Sequence, residues 1–379
     1  MLESPTMSLH VLIAPDKFKG TLTAQAAAEA IAQGWRKARP ADTLELLPMS
    51  DGGDGFGEIV SQLLHAEPQV TPTVDAAHRP CQASWGWEPR SKLAIIETAK
   101  IVGLAGLPPR KYHPFELDTF GLGAVLQAAA KKGARRCLVG IGGSATNDGG
   151  FGVARAMGWQ FLDKHEEPIE KWTELKALAR ILPPPRVRWF EELLVAVDVQ
   201  NPLLGPQGCT RVYGPQKGLV PKDFAPADQC LRRLAVAAER DLKRPCAAEA
   251  GAGAAGGLGF GLRCFLGARL QPGFDLFARH AELKRRLSAA DLVITGEGAI
   301  DKSTLMGKGV GEIAYRCRQM NVPCLGLAGL VSDHKLILQR FTQAHSLAPK
   351  FTTAKQAQAK PVVWLAKLAT QVAKTWPAV

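Results

Sequence analysis

The sequence predicts an α/β protein whose sheets are at least partly parallel. Short apolar runs rich in Leu and β-branched residues recur along the chain, and dense glycine clusters directly follow several of them. That order is typical of repeated units of strand, loop and helix. The apolar runs do not alternate with polar residues, which predicts strands buried on both faces, as in a parallel sheet.

The elements follow in chain order. We predict strands at 10–14, 44–49, 93–97, 136–141, 193–197, 292–295 and 324–328. We predict helices at 23–39, 121–132, 228–243, 309–320 and 361–376. Residues 182–186 include three consecutive prolines and are interpreted as an extended surface linker. Residues 67–89 have several prolines and no long periodicity, so we expect the chain to leave its first domain there.

Composition excludes two classes of protein. The 379 residues are 46% hydrophobic and 22% charged, which is ordinary for a globular protein and excludes bulk disorder. No apolar run approaches the roughly 18 residues of a membrane helix. The first ten residues lack a basic stretch followed by an apolar one, so we expect no secretory signal, with Met7 as an alternative start. We therefore expect a cytoplasmic protein without membrane partners.

The net charge and the cysteine spacing limit the binding partners and metal sites that the sequence predicts. The net charge of +12 is compatible with nucleic acid, an anionic substrate or no specific partner. The basic excess is local, because residues 334–379 have seven Lys or Arg and no acidic residue. We find no helix-turn-helix with a basic recognition helix and expect no nucleic-acid partner. Eight scattered cysteines indicate reduced, mostly buried thiols, with no zinc-ligand spacing.

Acids, lysines and glycines follow the first two predicted strands. Asp16, Lys17 and Lys19 follow the first strand, where ligands of open α/β sheets bind. A carboxylate there can hold Mg²⁺ and an ammonium group can neutralise phosphate. A polar turn with Thr23 as helix cap explains this segment equally well. Asp51 lies among four glycines in 50–57, more than a turn requires, which favours function.

The stretch 140–150 is the most informative one. Glycines after a strand expose successive N–H groups that can bind an anion, and Ser144, Thr146, Asn147 and Asp148 add polar side chains. So many polar groups at a strand end are costly unless they are satisfied, and we interpret a ligand as their partner.

Three further segments are candidates. Asp198, after the strand at 193–197, is a candidate base or metal ligand, and Lys217 a candidate phosphate contact. Each is equally compatible with a cap or a solvated turn. Residues 251–256 match G-x-G-x-x-G but follow a predicted helix, which argues against a dinucleotide site. Residues 295–309 are not a Walker A motif but combine acids, lysines, hydroxyls and glycines; a solvated charged loop is the alternative.

Together these segments favour phosphoryl transfer. They place carboxylates and lysines on glycine loops, and we find no Cys-His or Ser-His-Asp set for covalent catalysis. Phosphoryl transfer mainly needs positioning and charge neutralisation, plus a carboxylate that receives the hydroxyl proton.

The chain resembles the bacterial glycerate kinase family over roughly residues 8–376. The similarity lies in APDKFKGTLTAQ, SDGGDGFGEIV, GIGGSATNDGGFG, DVQNPLLGPQG, YGPQKG, GAGAAGGLGFGL and LVITGEGAIDKSTLMGKG. The resemblance implies Mg²⁺-dependent phosphorylation of D-glycerate by ATP, usually to the 2-phosphate. It also implies a flavodoxin-like domain built from 1–70 and 287–379, an inserted α/β domain at 71–286, and an active site in the cleft between them.

The sequence departs from the family at three positions. Ala299 replaces the arginine of the usual GEGRID motif, while Asp54 and Phe56 stand where Glu and Thr are common. If that arginine contacts phosphate or carboxylate, its loss weakens substrate binding or indicates a related hydroxy acid.

We assign a role to each candidate. Asp198 is the preferred general base, and Asp148 then contacts glycerate or Mg²⁺. The assigned residues are Asp198, Asp148 and Lys19 for catalysis; Asp16, Lys17, Ser144 and Asn147 for substrate; Gly142, Gly143, Lys217, Glu297, Lys302 and Lys308 for nucleotide phosphate; and Asp51 and Asp301 for metal. The alternatives are a kinase for another small hydroxy acid and a catalytically silent sensor. A homo-oligomer is compatible with the sequence.

Overall fold

The computed structural model describes residues 8–53, 55–306 and 309–377. The chain forms two compact units. Unit 1 contains the residues up to Asp51 and from Phe277 onward, and unit 2 is Gly52–Leu276. The domain boundaries expected from the sequence, after residues 70 and 286, stay a prediction.

The elements alternate between strand and helix. The strands are β1 (His10–Ile13), β2 (Thr43–Leu46), β3 (Glu67–Val74), β4 (Pro80–Glu88), β5 (Leu93–Glu97), β6 (Arg136–Gly140), β7 (Gln160–Leu162), β8 (Arg180–Leu182), β9 (Glu192–Val197), β10 (Arg269–Pro272), β11 (Leu292–Ile300), β12 (Cys324–Val331) and β13 (Gln343–Ser346). The helices are α1 (Ala24–Ala38), α2 (Phe56–Leu63), α3 (Ala99–Val102), α4 (Leu122–Lys132), α5 (Phe151–Ala156), α6 (Cys209–Lys217), α7 (Pro221–Leu242), α8 (Ala254–Leu266), α9 (Gly273–His280), α10 (Leu283–Ala289), α11 (Gly309–Gln319), α12 (His334–Ile337), α13 (Ala354–Ala359) and α14 (Pro361–Thr375). Short 3-10 turns lie at 104–106, 114–116, 172–177, 246–248 and 304–306.

Unit 1 is built on a parallel sheet of five strands in the order β13-β12-β11-β1-β2. Val11, Leu12 and Ile13 in β1 are fully buried, as a central parallel strand requires. Helices α1 and α14 pack against each other, and the Thr370 hydroxyl donates to the Gly34 carbonyl at 2.9 Å. The predicted parallel sheet is confirmed here.

Unit 2 contains a six-stranded mixed sheet in the order β10-β9-β6-β5-β4-β3. The four strands from β10 to β5 are parallel, whereas β4 and β3 are antiparallel additions. A separate antiparallel pair joins β7 to β8. The loops after β5, β6 and β9 consequently meet at one edge of this sheet, the edge that carries ligands in α/β proteins.

All seven predicted strands and all five predicted helices are present, with shifted ends. Helix α7 begins seven residues before the predicted helix at 228–243, because Pro221 occupies its first turn and Asp223 caps it. Strand β11 continues to Ile300, because it stays paired with β12 beyond the glycines. Strand β2 is only half-buried because it lies at the edge of its sheet, so burial on both faces was wrong for it.

Residues 67–89, for which the sequence predicted no strand or helix, form regular structure. Strands β3 and β4 form a long antiparallel hairpin there, with Glu67 opposite Trp87 and Val74 opposite Pro80. Prolines are tolerated in β3 because it is an edge strand, where a missing N–H need not break the sheet. The proline run at 183–185 does lack regular structure, although Leu182 still belongs to β8.

The cysteines and the helices agree with the sequence expectations. All eight cysteines are free thiols, and all but Cys81 are buried, as expected for mostly buried thiols. Within the described ranges, no helix is long and apolar enough to cross a membrane.

Candidate functional site

In unit 1, the carboxylates of Asp16, Asp51 and Glu297 lie close enough for their charges to interact. The loop after β1 joins β11, since the Asp16 N–H donates to the Gly296 carbonyl at 2.8 Å. Partial burial, together with the negative charges of Asp51 and Glu297, raises the pKa of the Asp16 carboxyl to about 7, although the nearby Lys17 opposes this change. Asp16 is therefore close to half-protonated near neutral pH, and a nearby cation would favour its charged form.

The C-terminal part of β11 and the loop that follows it hold two acids, Glu297 and Asp301, in defined positions. Glu297 accepts a hydrogen bond from the Thr304 hydroxyl at 2.7 Å. Asp301 accepts from the Ser303 N–H at 2.7 Å and from its hydroxyl at 2.6 Å. Ala299, which replaces the family arginine, is exposed and lies opposite Leu330 of β12. This loop is folded against itself, so its carboxylates are oriented before any ligand binds.

Several lysines lie near these acids in the sequence, and their side chains differ in solvent exposure. Lys19 and Lys302 are exposed and Lys17 is half-buried, so these ammonium groups are accessible to an anionic ligand. Lys308 and Asp54 lie outside the described residues. Across the part of the chain that the structure describes, no three His, Cys, Asp or Glu are arranged as a ready-made metal cage.

In unit 2, the loop at 141–150 is mostly buried and folded around Asp148. This carboxylate is fully buried, and its Oδ2 accepts from the Thr119 hydroxyl at 2.7 Å, the Thr119 N–H at 3.0 Å and the Gly152 N–H at 2.9 Å. Its Oδ1 accepts from the Gly150 N–H at 3.2 Å. Burial, together with the charge of Asp118, raises the pKa of Asp148 to about 6, although its hydrogen bonds from Thr119 and Gly152 oppose this change. The four donors all come from the protein itself.

The other polar side chains of this loop are also buried. The Ser144 and Thr146 hydroxyls lie 2.9 Å apart, and Asn147 Nδ2 donates to Thr210 Oγ1 at 3.2 Å. The protein thus satisfies most of the polar groups for which the sequence suggested a ligand, whereas the buried Asn147 Oδ1 has no hydrogen-bond partner among the described residues. A ligand at this loop stays a prediction. Among the described residues, the N–H groups of Gly142 and Gly143 meet no acceptor, and these glycines lie at the accessible end of the loop.

Lys217 is buried beneath the same loop. It ends α6, and its Nζ donates to the Thr146 carbonyl at 2.6 Å. Burial lowers the pKa of Lys217 to about 8, although the negative charge of Asp148 opposes this change. Lys217 is therefore neither a cap nor a solvated turn residue, the alternatives that its sequence context left open.

The glycine segment before and within α8 packs directly on the 141–150 loop. A Cβ on Gly256 would lie 1.9 Å from the Thr146 carbonyl oxygen, and Gly256 itself has φ +72°. Gly261 and Gly150 also approach closely, with no room for a side chain between them. No strand precedes this segment, so the formal G-x-G-x-x-G match is a packing feature here rather than a dinucleotide loop.

Asp198 differs from Asp148 in its accessibility. It follows β9 directly and is exposed to solvent. Burial, with a smaller contribution from the charge of Asp198, raises the pKa of the Tyr213 hydroxyl to about 12. Tyr213 donates to Asn201 Oδ1 at 2.5 Å, so this loop also has a fixed conformation.

The structure brings the predicted residues together in two groups. Asp16, Asp51 and Glu297 are neighbours in unit 1, and Ser144, Asn147, Asp148 and Lys217 share a buried cluster in unit 2.

Sequence reasoning missed three buried polar residues that hold these loops. Thr119 and Thr210 bind the 141–150 loop, and Glu97 accepts a hydrogen bond from the Gly55 N–H. A glutamate that ends an apolar strand was the one available signal. Thr119 and Thr210 gave no such signal in the sequence, because isolated threonines are common in all parts of proteins.

Comparison with known proteins identifies the family. The sequence model of the glycerate kinase family matches residues 11–377. A glycerate kinase of Halalkalibacterium halodurans is 39% identical over 353 residues, which cover 92% of this chain and 93% of that protein. A glycerate 2-kinase of Escherichia coli is 34% identical, with 86% of each chain covered.

The fold agrees with a solved structure. A crystal structure of a protein from Salmonella typhimurium LT2 that carries the name glycerate kinase 2 superposes with a TM-score of 0.84 at 33% identity. The superposition covers 97% of this chain and 98% of the other. The family model spans nearly the whole chain, and the relatives share its length and its fold. The chain is thus a kinase that belongs to the glycerate kinase family.

Proposed function

We propose that this kinase phosphorylates D-glycerate at its C2 hydroxyl, with ATP as donor and Mg²⁺ as the metal. The observation that carries the proposal is the grouping of the partly buried Asp16 with Asp51 and Glu297, because burial and the charges of these two acids together raise the pKa of Asp16 to about 7. Such a cluster favours a bound cation, and kinases need one beside the transferring phosphate. A relative named glycerate 2-kinase supports the position of phosphorylation.

The acids of unit 1 fit a magnesium ion. Mg²⁺ is usually bound by one or two carboxylates, substrate phosphates and several waters, so it does not need a cage of three protein ligands. Asp51 and Asp301 are the residues that would hold it, and the charge of Asp51 already acts on Asp16. When bound there, the ion would neutralise negative charge on the nucleotide phosphates.

The chemical step needs a proton acceptor, a positioned substrate and charge neutralisation. The C2 hydroxyl oxygen forms a bond to the γ-phosphorus, the bond to the β-phosphate oxygen breaks, and the hydroxyl proton passes to a carboxylate. Lys19 and Lys302 are exposed ammonium groups that can neutralise the phosphates, and the N–H groups of Gly142 and Gly143 can bind an anion.

Asp198 is the carboxylate that we assign as the general base. It is exposed at the end of β9, whereas both oxygens of Asp148 already accept hydrogen bonds inside the protein. A buried carboxylate with four internal donors has little capacity left for a substrate hydroxyl. The contacts of Asp148 therefore favour Asp198 as the base and leave Asp148 the role of holding the loop beside Ser144.

The test is a coupled assay of ADP release with the full-length protein, ATP, Mg²⁺ and D-glycerate. Release that requires both Mg²⁺ and D-glycerate supports the proposal, and phosphorus NMR of the product identifies the 2-phosphate or the 3-phosphate. Asp198→Asn keeps the shape and removes the acceptor, so kcat falls about a hundred-fold while nucleotide affinity stays similar. Faster turnover of another small hydroxy acid would correct the substrate, and a near-normal kcat for this variant would move the base elsewhere.

A further inference from the structure

Helix α6 holds the 141–150 loop at two points. Lys217, in its last turn, donates from Nζ to the Thr146 carbonyl at 2.6 Å. Thr210, near its start, accepts from Asn147 Nδ2 at 3.2 Å. The two contacts fall on adjacent residues of the loop, immediately before the buried Asp148. The loop therefore cannot shift along the helix without breaking one of them.

Lys217 occupies a position that is costly for an ammonium group. Its side chain is buried, and within the described ranges it forms no ion pair with a carboxylate. Removing an ammonium group from water costs free energy, which is why burial lowers its pKa. One charge-assisted hydrogen bond to a backbone carbonyl recovers part of that cost. A methionine at this position would fill the same space without the cost.

We propose that Lys217 is a positioning residue, which fixes the backbone of the 141–150 loop through the Thr146 carbonyl instead of contacting nucleotide phosphate. Thr210 is the second anchor, because it holds the same loop through the Asn147 side chain. The consequence for the reaction rests on the function proposed above, in which this loop offers Gly142, Gly143 and Ser144 to the ligands. When the anchor is removed, these groups remain in place less of the time.

Packing on the other side of the loop explains why one more anchor matters. Gly256 lies against the Thr146 carbonyl and the Asn147 Cα, so the loop is confined between the glycine segment and α6. Glycine packing limits movement toward α8 but supplies no directional bond. The Lys217 hydrogen bond orients the Thr146 peptide, and that peptide sets the direction of the chain that leads to Asp148.

The experiment compares Lys217→Met, Lys217→Gln and Thr210→Val in the full chain. Hydrogen exchange of the amides at 145–152 reports the loop without any substrate, and steady-state kinetics reports the reaction. For Lys217→Met we expect exchange at least ten-fold faster in that loop and kcat at least ten-fold lower. The KM for ATP should change less than two-fold. Glutamine can donate to the same carbonyl, so Lys217→Gln should recover part of both effects.

Lys222→Met is the matched control, because it removes the same charge from an exposed lysine at the start of α7. It should leave loop exchange and kinetics unchanged. A phosphate contact predicts the opposite pattern for Lys217→Met, with nucleotide affinity at least ten-fold weaker and loop exchange unchanged, and that result would overturn the proposal.

Thr210→Val keeps the inference testable if Lys217→Met fails to fold. It removes one hydroxyl, and we expect faster exchange at Asn147 and Asp148 with a smaller loss of kcat. Unchanged exchange in this variant would overturn the two-anchor arrangement. If the wild-type protein phosphorylates no hydroxy acid, the proposed function fails, while hydrogen exchange still decides the role of Lys217.

Discussion

The acid loops of unit 1 and the 141–150 loop of unit 2 are similar in composition but differ in burial and in hydrogen bonding. Both combine glycines, carboxylates and hydroxyls after a buried strand. Asp16 and Asp301 are half-buried beside exposed lysines, whereas Asp148 is fully buried and saturated by internal donors. The first arrangement leaves charge to be balanced by a ligand. The second uses the same residue types as an internal support.

The difference shows that a carboxylate at a strand end has two possible uses. A raised pKa accompanies both, since burial and a neighbouring acid act on Asp16 and Asp148 alike. The two carboxylates differ in the groups that donate hydrogen bonds to them. Asp148 receives four hydrogen bonds that stabilise its charged form, while the nearest charges to Asp16 include two more acids.

The largest expected effect is the loss of the internal support. Asp148→Asn replaces one accepting oxygen with an NH₂ group that faces N–H donors, and should lower the free energy of unfolding of unit 2 by about 3 kcal/mol. Urea denaturation followed by tryptophan fluorescence measures it. Asp163→Asn, at a half-exposed turn, is the control and should leave the free energy of unfolding nearly unchanged. Normal stability with lost activity would instead place Asp148 among the groups that contact substrate.

Asp16→Asn should show the reverse pattern. It removes a charge that other acids oppose, so stability at pH 7.5 should stay the same or rise while kcat/KM falls about a hundred-fold, equal to about 2.7 kcal/mol. Asp42→Asn is the contrasting variant in unit 1, because Asp42 accepts bonds from Trp35 and Arg39 and its pKa is lowered. Asp42→Asn should lower the free energy of unfolding and leave kcat/KM unchanged. Equal activity of Asp16→Asn and wild type would remove Asp16 from the site.

A pair of glycine variants tests the packing of the buried loop. Gly256→Ala and Gly267→Ala both place alanine at a left-handed backbone, with φ +72° and +69°, so each bears a similar strain of about 1 kcal/mol. Only Gly256→Ala adds a Cβ against the Thr146 carbonyl, and it should cost about 2 kcal/mol more than its partner. Thermal unfolding of both variants checks the difference. Equal losses would show that the loop moves freely away from α8.

The smallest expected effect is on the pH dependence of stability. Because the folded pKa of Asp16 is raised from 3.8 to about 7, the folded chain binds more protons than the unfolded chain between these values. Stability contributed by this group is present at low pH and is lost as pH rises toward 7. Between pH 4 and 7 the wild type should therefore lose about 1 kcal/mol relative to Asp16→Asn, a value reduced by solvent screening. A constant difference between the two proteins would contradict the raised pKa.

Much of the fold was predictable from local patterns. Apolar runs such as the one in β5 have the length and composition of a buried strand whatever surrounds them, and proline and glycine positions end elements by steric rules. Helix α1 was predictable for the same reason, including its Thr23 cap. The hairpin of β3 and β4 was not, because its prolines are acceptable only at the edge of a sheet, and edge position is a tertiary property.

By itself, the sequence determined the fold class, the family and which loops contain chemically useful groups. These depend on residue type and spacing along the chain, which local sterics and motif composition preserve. Only the tertiary structure decided that Lys217 faces a carbonyl, that Asp148 is saturated and that Asp198 is exposed. A charged side chain's role depends on the donors, acceptors and water around it, and residues far apart in the chain supply them.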